Sequence, residues 1–137
     1  MQRPIDEHTA LIFTMVFVSD ADDIMDDREL ETMTRQVSYW PIFRGFDSSR
    51  LAAVGRQCAE LLEREDGVDL ACDMIAEALP PRLCETAYAL ACEVAVADGA
   101  LTQEELRLLE LLRERLKVDP LVAHAIERAT RARSAVL

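Results

Sequence analysis

The sequence predicts an all-α protein, folded as one compact domain of about seven helices. The chain has 137 residues and half of them are apolar, which is enough for one substantial core. It contains only 4 Gly and 5 Pro, while Ala, Leu, Glu and Arg are abundant, a mixture that favours helices. Val, Ile, Thr and the aromatic residues never form the alternating runs that strands require.

Two segments are predicted to form helices at the centre of the domain. In the first, from about Thr9 to Ala21, apolar residues surround nearly the whole circumference, which is typical of a buried helix. The second runs from Pro81 to Ala97, begins with proline at a favourable first helical position and carries apolar residues at helical spacing. An acidic turn follows each of these helices.

Amphipathic helices are expected after both acidic turns, over residues 26–39 and 102–116. In the second, the apolar face consists of Leu106, Leu109, Leu112 and Leu116, at a spacing of three to four residues.

Two further helices are expected to begin just after an aspartate that acts as the N-cap. Asp47 and Asp119 occupy these positions, and Pro120 stands at the first residue of the second helix. A seventh helix is expected near residues 68–79.

The two halves of the chain resemble each other around the acidic turns. ADDIMDDRELE, residues 21–31, aligns without a gap with ADGALTQEELR, residues 97–107, so that Asp22 corresponds to Asp98 and Glu29 to Glu105. This weak repeat predicts an internal duplication with approximate two-fold symmetry. Its halves span about residues 9–64 and 81–133, and the helix at 68–79 lies between them.

Helix capping explains only part of the acidic turns. Asp26 and Glu29, like Thr102 and Glu105, have the spacing of a capping box. Asp22 and Asp98, however, stand at the ends of the central helices, where the helix dipole disfavours a carboxylate. A divalent cation bridging the end of one helix and the start of the next would offset this repulsion, because hard cations prefer oxygen ligands. The candidate ligands are Asp22, Asp26, Glu29, Glu93, Asp98 and Glu105.

The first turn does not fit an EF-hand, so a cation site would be built between helices. Counted from Asp20, the twelfth residue is Glu31 as required, but the sixth is Met25 where glycine is needed. Glu93 interrupts an otherwise apolar helix. It is interpreted either as pairing with an arginine such as Arg107 or reaching solvent, or as a ligand or acid–base group.

The segment SYWPIFRGF, residues 38–46, concentrates aromatic side chains around Pro41. It is expected to connect two helices and to cover one end of the core. Any exposed part becomes a hydrophobic anchor for a protein partner, because Tyr and Trp dominate such contacts. Tyr39, Trp40 and Phe43 are the candidate residues.

Composition restricts the partners and the location of the protein. A formal net charge of −11 opposes binding to nucleic acid or to anionic lipid. The 4 cysteines show no metal-binding spacing and are expected to be reduced core residues of a cytoplasmic protein. The apolar segment 10–18 is too short to span a bilayer, and acids rather than basic residues precede it.

The stretch AYALACEVAVADGALTQEELRLLELLRERL, residues 87–116, resembles the signature of the tellurite-resistance TerB-like proteins. The motif A-D-G-x-hydrophobic-x-x-x-E is matched by Asp98, Gly99, Leu101 and Glu105, and residues 11–31 look like its degenerate partner, with Asp23 in place of the glycine. The resemblance implies an all-helical, internally duplicated fold. It also implies a role in tellurite and other chemical stress, and in some members cation binding through clustered acids.

Three hypotheses follow. The first is a non-enzymatic, cytoplasmic stress-response protein that binds a divalent cation (Ca²⁺, Mg²⁺, Mn²⁺ or Zn²⁺) and engages a protein partner, near the membrane surface. The second is a metal-free interaction module whose acidic turns only cap helices. The third is a hydrolase that uses Glu93, although the sequence contains no recognised catalytic motif.

Overall fold

The computed structural model describes residues 4–19, 27–97 and 101–137, and within these ranges it contains seven α-helices and no strand. The prediction of an all-α fold with about seven helices is therefore confirmed. The helices are α1 (Glu7–Ser19), α2 (Asp27–Tyr39), α3 (Leu51–Leu62), α4 (Gly67–Ala78), α5 (Pro81–Ala95), α6 (Gln103–Arg115) and α7 (Pro120–Ser134). Two short 3-10 turns, Pro41–Phe43 and Ser48–Arg50, connect α2 to α3.

Helix α1 is buried on all sides, as its sequence predicts. Every residue from Thr9 to Ser19 is buried. The Thr14 hydroxyl donates to the Ala10 carbonyl at 2.8 Å, and the Ser19 hydroxyl donates to the Val16 carbonyl at 3.2 Å. Because these polar groups bond within their own helix, α1 presents an almost entirely apolar surface to its neighbours.

An aspartate caps the start of α1. The Thr9 backbone N–H donates to Asp6 Oδ1 at 2.8 Å, and this hydrogen bonding lowers the pKa of the Asp6 carboxyl. The carboxylate satisfies an N–H group that would otherwise lack a partner beside the buried helix.

Helix α5 is the second central helix, and the other helices pack around this pair. Helix α1 contacts α3, α4, α5 and α6, while α5 contacts α2, α6 and α7. The packing of α1 on α3 corresponds to that of α5 on α7, and the packing of α6 on α1 corresponds to that of α2 on α5. These two correspondences are what exchanging the two halves would produce, although the contact of α5 with α6 has no α1–α2 counterpart among the described contacts. The duplication itself stays a prediction.

The predicted N-caps are present. Asp119 Oδ1 accepts the Leu121 N–H at 2.9 Å at the start of α7, and Asp47 Oδ1 accepts the Ser49 N–H at 3.0 Å. Asp47 caps the 3-10 turn that leads into α3 rather than α3 itself. Thr102 and Glu105 form the complete capping box of α6.

Of the four leucines predicted to form the apolar face of α6, three are buried. Leu109, Leu112 and Leu116 are buried, but 41% of Leu106 is exposed. Leu106 lies at the edge of a cavity between α5, α6 and α7 instead of in the core.

The end of α6 is closed by a Schellman motif built on a lysine. The Val118 N–H donates to the Arg113 carbonyl at 3.0 Å and the Lys117 N–H donates to the Glu114 carbonyl at 3.2 Å. Lys117 has a φ of 55°, in the left-handed region that favours glycine.

Lys117→Gly is therefore expected to raise the free energy of unfolding by up to about 1 kcal/mol, because glycine adopts a positive φ without steric cost. Chemical denaturation measures the change. Lys117→Ala is the control: it removes the same side chain but retains the Cβ, so it should not stabilise. Equal stabilisation by both substitutions would contradict this account of the motif.

Candidate functional site

In both α2 and α6, a buried glutamate lies near the start of the helix, on the face that packs against the core. Glu29 and Glu105 are only 4% and 3% exposed. Farther along α2, Met33 and Gln36 are buried, as is the adjacent Val37, and farther along α6, Leu109 and Leu112 are buried. Each pair lies four and seven residues after its glutamate, so the two faces agree in register with the alignment of the two acidic turns.

The structure accounts in part for the burial of Glu105. Glu105 Oε1 accepts the Thr102 N–H at 3.0 Å, and the Glu105 N–H donates to Thr102 Oγ1 at 3.1 Å. A buried carboxylate is stable only when hydrogen bonds or opposite charges compensate its lost hydration. Helix capping at this position, predicted from the sequence, is confirmed.

Three of the predicted cation ligands, Asp22, Asp26 and Asp98, lie outside the described residues. The capping box predicted for Asp26 and Glu29 falls there too. Within the described ranges, no three Asp, Glu, His or Cys side chains come close enough to hold a metal ion together. A complete cation site would thus take ligands from residues 20–26 and 98–100, in addition to Glu29 and Glu105.

Glu93 pairs with an arginine, as one interpretation of the sequence predicts, but the partner is Arg133 rather than Arg107. Arg133 Nε donates to Glu93 Oε1 at 2.8 Å, and Arg133 Nη2 contacts the same oxygen. The pair joins α5 to α7, and the Glu93 side chain is 25% exposed. Glu93 therefore has a structural role between these two helices.

The aromatic segment divides into exposed and buried residues. Tyr39 is 79% exposed, Trp40 is half-buried against the core, and Phe43 is only 3% exposed. The Phe43 ring stacks on His8, whose Nε2 is 2.8 Å from the Ile42 carbonyl oxygen. Phe43 is thus a core residue, and the exposed surface of the segment comes from Tyr39 and part of Trp40. Contact of these residues with a partner stays a prediction.

A polar cluster between α5, α6 and α7 was not predicted. The Tyr88 hydroxyl donates to Glu127 Oε2 at 2.6 Å. Arg113 Nη1 is 3.5 Å from the same oxygen, and His124 Nδ1 is 3.5 Å from Glu127 Oε1. These groups line a cavity of about 370 Å³ together with Cys92 and several leucines. Only the spacing of His124 and Glu127 on α7 was available as a signal, because the other members come from distant parts of the chain.

The phenol and the thiol in this cavity remain protonated at neutral pH. Burial raises the pKa of the Cys92 thiol to about 12. Burial and the hydrogen bond to Glu127 also raise the pKa of Tyr88. A thiol with so high a pKa is a poor nucleophile, because the thiolate is the reactive form. Cys92 therefore acts as a small apolar core residue, as the other cysteines do: Cys58, Cys72 and Cys84 are all buried thiols that form no disulfide.

Tyr88→Phe tests the contribution of this cluster to stability. The substitution removes a hydrogen bond to a carboxylate, and we expect unfolding to become easier by about 1 kcal/mol, since Glu127 is partly exposed and regains water. Tyr39→Phe is the matched control, because its exposed hydroxyl should contribute almost nothing. Denaturant titration of both variants gives the comparison; equal effects would contradict the assigned role.

The architecture is an all-α domain in which helices surround two buried ones. A family model described as "Tellurite resistance protein TerB" matches residues 8–128, which is most of the chain. The chain therefore belongs to the TerB family. No match was found among curated proteins or among solved structures. Within the part of the chain that the structure describes, no helix is long and apolar enough to cross a membrane.

Proposed function

We propose that this TerB-family protein is a non-enzymatic, cytoplasmic component of a stress response of the tellurite-resistance type. Its two acidic turns bind a divalent cation, and its surface engages a protein partner at the membrane. The observation that carries the cation proposal is the burial of two carboxylates, Glu29 and Glu105, at corresponding positions of α2 and α6.

The chemistry of these side chains suits a hard cation. Ca²⁺ and Mg²⁺ prefer oxygen ligands, and an ionised carboxylate offers about four acceptor positions on two oxygens. The capping bond of Glu105 is therefore compatible with a cation contact. Asp22, Asp26 and Asp98 would supply further oxygens from the turns that precede α2 and α6. When bound, the cation would neutralise part of the charge gathered at each turn.

The partner proposal is supported by the aromatic segment. Tyr39 is largely exposed at the end of α2, and Trp40 is half-buried beside it. Tyr and Trp contribute large, rigid contact areas at interfaces. Phe43, a few residues farther along the chain, is packed in the core and contacts Phe46, so it holds this segment in place.

A second candidate function is a metal-free interaction module, and the capping bonds of Glu105 favour it. In that case the acidic turns only start helices, and the aromatic surface alone carries the function.

Thermal melts distinguish the two candidates. After chelation, a saturating specific cation at 100 times its dissociation constant should stabilise the protein by roughly 2.7 kcal/mol. Glu105→Gln and Glu29→Gln keep the side-chain size and hydrogen bonding but remove the charge, so they should abolish the shift. Asp98→Asn and Asp22→Asn should do the same. The controls are Glu104→Gln and Glu31→Gln, at exposed neighbouring positions.

An absent shift with Ca²⁺, Mg²⁺, Mn²⁺ and Zn²⁺ would contradict the cation proposal and favour the metal-free module. If the cation still stabilises both glutamine variants against thermal unfolding, it binds elsewhere on the protein.

The partner proposal is tested by affinity capture with purified variants. Tyr39→Ala should weaken capture of the partner by at least about tenfold, equivalent to ~1.4 kcal/mol. Leu121→Ala on α7 is the matched control, because Leu121 is also 79% exposed. Equal loss in both variants, or no loss with Tyr39→Ala, would argue against the aromatic surface.

A further inference from the structure

We infer that the groove between α2 and α3 is the docking site for an acidic, amphipathic helix of a protein partner. This inference rests on the partner half of the proposed function and is independent of cation binding. Tyr39, Trp40 and Phe43 are not among the residues that line the groove.

The groove is a sizeable apolar depression. Its volume is about 540 Å³, and its apolar lining consists of Val16, Leu30, Met33, Val37 and Leu51 together with three small residues of α3. Leu30 is 49% exposed although it is a large apolar side chain on a helix. The 3-10 turn Ser48–Arg50 contacts α2 and closes one end.

Small residues make the groove deep. Ala52 and Gly55 of α3 face it, and a Cβ atom built on Gly55 would lie 3.8 Å from Val16 Cγ2 on α1. The bottom of the groove is therefore formed in part by the central helix α1. An occupant would contact the buried core as well as the rims.

The two hydroxyl groups that α2 contributes to the groove are satisfied within α2. Thr34 Oγ1 donates to the Leu30 carbonyl at 2.9 Å, and the Ser38 hydroxyl donates to the Thr34 carbonyl at 2.8 Å. Because of these bonds, the two hydroxyl groups need no hydrogen bond to water or to a polar group of a partner. An apolar helix face can cover the α2 side of the groove without leaving the hydroxyl of Thr34 or Ser38 unsatisfied.

The charge around the groove differs from that of the whole protein. Residues 28–56 contain five arginines and three acids, of which Glu29 is buried, whereas the rest of the chain has ten basic and 23 acidic residues. Arg56 lines the groove, and Arg35 lies on the outer side of α2 beside Leu30, next to Glu31. Both arginines are exposed, and neither forms an ion pair with another described residue.

These features specify the occupant. The wall from Leu30 to Ser38 is nine residues long and covers about 12 Å of helix, which matches two turns of a docked helix. An apolar stripe at positions i, i+3, i+4 and i+7 would fill the floor, as in other helix-in-groove complexes. Acidic residues on the flanks would pair with Arg35 and Arg56 on either side.

The probe is a displayed library of helical peptides of about 14 residues, ~21 Å long, with this apolar stripe and random Glu or Lys at the flanking positions. Selection on the wild-type protein should enrich Glu on both flanks. The Kd of the best peptide, measured by fluorescence anisotropy, should rise at least about tenfold in Ala52→Glu and in Arg56→Glu. Arg82→Glu, an exposed arginine on α5, is the control and should leave the Kd unchanged.

Enrichment of Lys, no enrichment, or equal binding by Ala52→Glu and the wild type would overturn the inference. So would a concentration-dependent dimer in sedimentation that Ala52→Glu disrupts, because the occupant would then be a second copy. Loss of peptide binding in Tyr39→Ala but not in Ala52→Glu would reject the groove while retaining the aromatic partner surface. Circular dichroism melts of each variant confirm that it is folded.

Discussion

The structure depends on the burial of its two central helices, α1 and α5. All residues of α1 from Thr9 to Ser19 are buried, and α5 is buried along most of its length. Burying apolar surface stabilises by about 25 cal/mol per Å², so exposing either helix would cost more than a small domain can sustain. The remaining helices cover this pair. They are amphipathic because one face packs against the central helices and the other contacts water.

Three of the departures from an apolar core lie on α2 and α6, on the faces that pack inward. Glu29 and Glu105 begin the inward faces of α2 and α6, and Gln36 lies farther along α2. Gln36 Nε2 donates to the Leu90 carbonyl at 3.3 Å, but no described group bonds to its Oε1. An unsatisfied buried acceptor costs about 1–3 kcal/mol. Such polar positions are not required for packing, and the two glutamates are the ones that recur in both halves.

The fold was predictable because its signals are local. Continuous hydrophobicity identified α1, and the positions of Asp47, Thr102 and Asp119 marked helix starts, so no knowledge of distant contacts was needed. Contacts between distant residues were less predictable. Arg133 rather than Arg107 pairs with Glu93, and Tyr88 meets Glu127 across 39 residues, because such choices depend on how helices are oriented in space. The α2–α3 groove was missed for the same reason: its walls come from separate helices, and neither is unusual in sequence.

The central claim is that the buried glutamates mark a cation site between helices. Anomalous scattering from crystals soaked in Mn²⁺ tests it most directly, because the signal locates the metal without assuming its ligands. A peak at bonding distance from the carboxylate of Glu29 or Glu105, shared with an aspartate of the adjacent turn, is the predicted result. Crystals that bind Mn²⁺ only at other surface carboxylates, or not at all, would contradict the claim and leave both glutamates as parts of helix starts.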